Sequence, residues 1–289
     1  MGRLIAAVLS CATLAGVTTT GQSSAPGGPM DLVGILARVG ERVQAYYQRA
    51  QSIVCIETLE RRTLRQYSSP DPSSRRLVYE LRVSWEQTAG GDGPSEANVI
   101  RTLKTVNGRV PKKGEEPKCD DPKPVDLDPL SFLLPQHQRE YDFTYKGVGK
   151  AGNGRTGVML EFAPAGKDPE EIAWDGDCFS FEIPQRTRGR VWVDRFTGDV
   201  LRFDDTVRGP LDIEIPLAQR TTGTDRIITF DRYESSTRYR TVTFKEPEEV
   251  VLLPESIETM MVFGSVRVHT IRTFAGYQRF VTGGRVIPE

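Results

Sequence analysis

The chain has 289 residues, 38% hydrophobic and 27% charged, which is enough apolar material for a folded core and argues against wholesale disorder. Its 38 basic and 39 acidic side chains are interspersed and leave a formal net charge of -1, so no field draws it to nucleic acid or to an anionic membrane. The 27 glycines and 19 prolines suit many short strands joined by tight turns.

The chain opens with Arg3, an apolar stretch over 4–17 and the small residues Thr18, Thr19, Thr20 and Gly21. That order is the order of a secretory signal peptide, and the stretch is too short to span a bilayer comfortably. Cleavage after about Gly21 is expected. The alternative is a lipobox at Val8-Leu9-Ser10-Cys11, which would make Cys11 a lipid-bearing residue. The expected organisation is a signal peptide over 1–21, a flexible Ser/Pro/Gly tether over 22–29 and a single domain over 30–289. No later segment reads as transmembrane, and the expected location is outside the cytoplasm, periplasmic or secreted.

Within the domain a helix comes first. Asp31 is placed to cap it, and Leu32, Ile35, Leu36, Val39, Val43, Tyr46 and Tyr47 recur at helical spacing. Beyond about Ser52 the period changes to 2. Leu77, Tyr79, Leu81, Val83 and Trp85 alternate with Val78, Glu80, Arg82, Ser84 and Glu86, as in a half-buried antiparallel strand. Further strands are expected over 52–64, 98–106, 140–147, 156–163, 188–196, 199–208, 226–233, 238–245, 256–263 and 266–275. Asn107-Gly108, Asn153-Gly154 and Thr197-Gly198-Asp199 supply turn chemistry. The fold class that follows is mainly β (α+β): a large curved antiparallel sheet or half-barrel with one long N-terminal helix packed on it.

Two segments interrupt the strands. A charged, proline-rich loop over 109–129 ends in the apolar plug Leu130-Ser131-Phe132-Leu133-Leu134, expected to form one helical turn. A second irregular excursion over 164–187 carries Trp174, Phe179 and Phe181. Cys119 and Cys178 lie in these two polar excursions and are the favoured disulfide, with Cys55 in the apolar run 53–56 as a buried free thiol.

Chemistry is sparse. His137 and His269 stand apart with no motif around them, and no nucleophile elbow, Walker, HExxH, EF-hand or dinucleotide pattern is present. Asp120, Asp121, Asp126 and Asp128, with Asp175 and Asp177, could converge on calcium, but their spacing matches no ligand pattern and solvated loop acids are the ordinary outcome. No catalytic residue, metal site or cofactor is assigned. What remains is shape: a curved sheet under a helix leaves an apolar concavity, for which Leu77, Tyr79, Leu81, Val83, Trp85, Val191, Val193, Met260 and Val262 are the candidate lining residues.

The signal, the single amphipathic helix and the run of antiparallel strands resemble the periplasmic carrier half-barrels of the outer-membrane lipoprotein-sorting family (LolA- and LolB-like). The local echoes are Gly189-Arg190-Val191-Trp192-Val193-Asp194, then Thr197-Gly198-Asp199 and the return strand Val200-Leu201-Arg202, with Leu253-Pro254-Glu255-Ser256 later. The resemblance spans about 30–280 and implies a cavity for acyl chains between helix and sheet, with no catalytic residue. The expected function is therefore that of an exported, non-enzymatic protein binding a lipid-like or hydrophobic ligand, its partners being lipid or lipoprotein acyl chains. The alternative is a structural or protein-interaction envelope domain with a filled core. A hydrolase using the loop carboxylates is a third reading.

Overall fold

The computed structural model describes residues 31–49, 52–65, 74–85, 97–115, 130–152, 154–166, 171–175, 178–182, 186–220, 226–245 and 248–279. The expected signal peptide, the tether and Cys119 lie outside them. Helix α1 runs Leu32–Arg49. The Gly34 N–H donates to Asp31 Oδ1 at 2.9 Å, so Asp31 is the cap that its position foretold. One stripe at i, i+4 spacing, Ile35, Val39, Val43 and Tyr47, is at most 5% exposed and forms the buried face.

The strands that follow are β1 (Ile53–Arg65), β2 (Arg75–Trp85), β3 (Ala97–Val106), β4 (Tyr141–Gly152), β5 (Arg155–Pro164), β6 (Glu171–Asp175), β7 (Cys178–Glu182), β8 (Thr187–Val193), β9 (Val200–Glu214), β10 (Ile227–Lys245), β11 (Glu248–Phe263) and β12 (Val266–Arg279). Ten of them make one antiparallel sheet in the order β3-β2-β1-β12-β11-β10-β9-β8-β5-β4, open between β3 and β4. Strands β6 and β7 form a separate hairpin inside the excursion that the sequence left irregular. The architecture is the expected half-barrel with one N-terminal helix.

Period-2 patterning sets the inner face. Along β1, Ile53, Cys55, Glu57 and Leu59 are at most 4% exposed, and along β2 Leu77, Tyr79, Leu81 and Val83 at most 8%. The outer face carries ion pairs such as Glu80 with Arg82 and Lys104, and one small cluster of Trp192, Leu201, Met159 and Ala151.

Two expected strand boundaries move. Segments 226–233 and 238–245 are one 19-residue strand, β10, whose middle (Glu234, Ser235, Ser236, Thr237) hides its continuity because those residues are polar on both faces. Strand β11 begins at Glu248 rather than near 256. Pro254 is tolerated inside it because it opposes Tyr239, next to the register shift between Arg238 and Tyr239.

Between the two edge strands β3 and β4 the chain carries the plug. Leu130, Phe132, Leu133 and Leu134 are at most 6% exposed, with a 3-10 turn at Ser131–Leu133. Phe132 centres an aromatic group, 4.3 Å from the Phe162 ring and 5.4 Å from those of Phe203 and Tyr141. Gln138 Nε2 donates to the carbonyls of Leu36 (2.9 Å) and Leu133 (2.7 Å), tying plug to helix. Gly198 (φ +73°) brings the β8–β9 turn against α1, where a Cβ would lie 2.7 Å from the Arg38 carbonyl oxygen.

Candidate functional site

The inner face of the sheet is the candidate site, and the sequence-derived lining residues fall on it unevenly. Leu77 and Tyr79 pack with Leu59 and Val106, while Leu81 and Val83 pack with Cys55, Ile257 and Phe274. Val191 and Val193 are fully buried. All six are core positions. Met260 and Val262 alternate with Met261 and Phe263, and it is the latter pair that joins the cluster of Val207, Ile213 and Phe230 on the inner side. Met260 and Val262 therefore belong to the opposite face. The Trp85 side chain lies outside the described residues.

Space is found elsewhere, at the seam between α1 and strands β9 to β11. A cleft open to solvent is lined by Arg42, Val43, Ala45 and Tyr46 of the helix, Leu130 of the plug, Asp199 and Val200 at the start of β9, and Tyr239, Val250, Val251 and Leu252. Its walls are apolar except for one ion pair, Arg42 Nε to Asp199 Oδ1 at 2.5 Å, and Tyr239. Gly198 positions this pair by letting the turn reach the helix. Sequence reasoning missed most of these residues. The signal was present in the run Val250-Val251-Leu252-Leu253, which lies before the expected start of its strand.

Nearer the middle of the inner face is a buried polar cluster. Glu57 is fully buried and accepts from Arg101 Nε (3.0 Å) and Nη2 (2.8 Å), both at Oε2. The Arg101 guanidinium also lies 4.2 Å above the Tyr79 ring. Arg272 Nε approaches Glu57 Oε1 at 3.9 Å, beyond hydrogen-bond length, and burial depresses its pKa. Beside it, burial pushes the Asp205 carboxyl up to about 6, against an opposing Ser235 hydrogen bond, and the Tyr233 hydroxyl up to about 12. This cluster had a signal too: Glu57 stands between Cys55 and Leu59, and Arg101 between Val99 and Leu103, each a charge in an apolar register.

The two histidines join neither region. His137 Nδ1 meets Glu140 at 3.2 Å and His269 Nε2 meets Glu258 at 2.9 Å, each a single pair on the exposed surface. Cys55 is a buried free thiol, and burial, then the nearby Glu57 charge, raises its pKa to about 12. The Cys178 side chain lies outside the described residues, as do Asp120, Asp121, Asp126, Asp128, Asp177 and the Asp175 side chain, so the disulfide and the loop acids stay expectations.

No protein-family model and no curated protein matches the sequence. Solved structures do align with the chain. It is similar to a LolA superfamily protein from Nitrosomonas europaea over 89% of this chain and 97% of that one, at 10% identity and a TM-score of 0.32. It is similar to a domain described as outer membrane lipoprotein-sorting from Vibrio parahaemolyticus over 86% and 94%, at 11% and 0.40. A DUF1329 family protein from Desulfovibrio piger aligns over 87% and 94%, at 12% and 0.38. Similarity of this degree carries no statement about ligand or activity, which the residues of this chain have to supply. Among the described residues no helix is long and apolar enough to cross a membrane.

Proposed function

We propose that the chain is an exported, non-enzymatic protein that binds a lipid-like or otherwise hydrophobic ligand, such as an acyl chain, in the cleft between α1 and the sheet. The observation that carries this reading is the lining of the cleft, apolar on its walls and open to solvent between helix and sheet. Small-molecule sites are typically apolar with a few placed polar groups. The Arg42–Asp199 pair supplies such a group. Export rests on the apolar stretch 4–17 and its small-residue end. The absence of an enzymatic role rests on the isolation of the two histidines, each of which meets one glutamate.

A structural or interaction domain with a filled core is the second reading, favoured by the complete burial of Leu77, Val191 and Val193. Native mass spectrometry and uptake of a hydrophobic dye decide between the two. The binding reading expects an acyl-chain adduct or dye uptake that Ala45→Trp, which fills the cleft from the helix, abolishes without lowering the melting temperature. A clean apo mass and no dye uptake by the unsubstituted chain would leave the filled core.

A further inference from the structure

Strand register places a band of polar side chains across the inner face. Arg75, Arg61, Thr270, Thr259, Ser235 and Asp205 stand directly opposite one another across six consecutive strands, from β2 to β9. One step along, Arg272 of β12 sits between Leu59 of β1 and Ile257 of β11. On the far side of the band the face turns apolar again, with Val268 opposite Met261 and Tyr233 beyond it.

Arg272 is the anomaly. Its side chain is only 12% exposed, and among the described residues its buried Nε finds no hydrogen-bond acceptor. Glu57 Oε1, the nearest carboxylate oxygen, is 3.9 Å from Nε and also lacks a hydrogen bond, because Arg101 engages the other oxygen. A guanidinium carries five donors in a rigid fork matched to carboxylate and phosphate, and burying it without acceptors is costly. The surrounding charges compound this. Among the described residues, Arg61, Arg75 and Arg101 share this face with Arg272, beside Glu57 and Asp205.

We propose that Arg272 anchors an anion-binding site on the inner face, and that the ligand is an acyl-chain amphiphile with an anionic oxygen head, a carboxylate or a phosphate. The head pairs with the Arg272 fork beside the Thr259 and Thr270 hydroxyls, and the chain lies along Val268, Met261 and Phe263. The unsatisfied Arg272 donor selects against a neutral head of the same length. This site is separate from the cleft at α1, and its test keeps the two apart.

Calorimetric titration in the Ala45→Trp background, where the cleft is filled, compares oleate, oleyl alcohol, a lysophosphatidate and inorganic phosphate. Oleate and the lysophosphatidate should bind about tenfold or more tightly than the alcohol, the scale expected of hydrogen bonds to a charged group. Arg272→Met should remove that preference. Equal binding of oleate and oleyl alcohol, or an undiminished oleate affinity in a folded Arg272→Met chain, overturns the proposal. Inorganic phosphate binding as tightly as the lysophosphatidate overturns the amphiphile. Should Arg272→Met fail to fold, Glu57→Gln decides. Withdrawing the competing carboxylate should tighten oleate binding, and unchanged or weaker binding refutes the site.

Discussion

Arg101→Met should be among the most damaging single substitutions in this chain. Glu57 has no exposed surface, and among the described residues both hydrogen bonds to its carboxylate come from Arg101, whose side chain is 5% exposed. Without that guanidinium the nearest cation is Arg272, whose Nε stands 3.9 Å from Oε1 and makes no hydrogen bond. Methionine keeps most of the aliphatic bulk, so the cavity contribution stays small and the stranded carboxylate dominates. Breaking a buried ion pair from one side costs about 3–5 kcal/mol. For a domain of this size that is a fall in Tm on the order of 6–20 °C. Equilibrium urea unfolding followed by far-UV circular dichroism measures it directly. Glu57→Met combined with Arg101→Met should recover part of the loss, since no buried anion is left behind. Recovery stays incomplete because Arg272 then loses its nearby carboxylate. An Arg101→Met chain within about 1 kcal/mol of the parent, with the same m-value, would refute the account of Glu57 as a desolvated, hydrogen-bonded anion.

Phe132→Ala removes the centre of the aromatic group under the helix and should cost about 3–5 kcal/mol by the same urea measurement; a loss below about 1 kcal/mol would mean that the plug is not part of the core. Gly198→Ala puts a side chain at φ +73° with its Cβ 2.7 Å from the Arg38 carbonyl oxygen, so a loss above the roughly 1–2 kcal/mol of the backbone conformation alone is expected. Thermal melting reads it, and an unchanged Tm would contradict the close approach of turn and helix. Asp205, pushed up to about 6 by burial, binds its proton more readily in the folded chain than in the unfolded one. Stability should therefore fall as pH rises from about 4 to 6 and level off above, by on the order of 2 kcal/mol after allowance for partial exposure. Asp205→Asn should flatten that slope, and parallel urea midpoints for the two chains from pH 4 to 7 would sink the burial explanation.

How much of this was legible in the sequence differs by element. The α1 stripe, its Asp31 cap, the alternation along β2 and the apolar plug were all readable, because each depends on spacings of one to four residues. Glu57 and Arg101 were readable in principle, as charges in register with buried neighbours. The side of Met260 was not. Strand β11 is apolar at 260, 261, 262 and 263 alike, so alternation gives no sign, and only the contacts of Met261 and Phe263 with Phe230 and Val207 show which pair faces inward.

From its sequence alone this protein was determined to be one amphipathic helix followed by antiparallel strands, because periods of 3.6 and 2 are properties of the local chain. Only the tertiary structure decided that β1 pairs with β12, that β10 runs unbroken for 19 residues, and that the open space lies beside Val251 rather than above Leu81. Those outcomes depend on which surfaces meet across two hundred residues of chain. Pairing partner, sidedness and leftover volume are set by that meeting, and no local spacing encodes it.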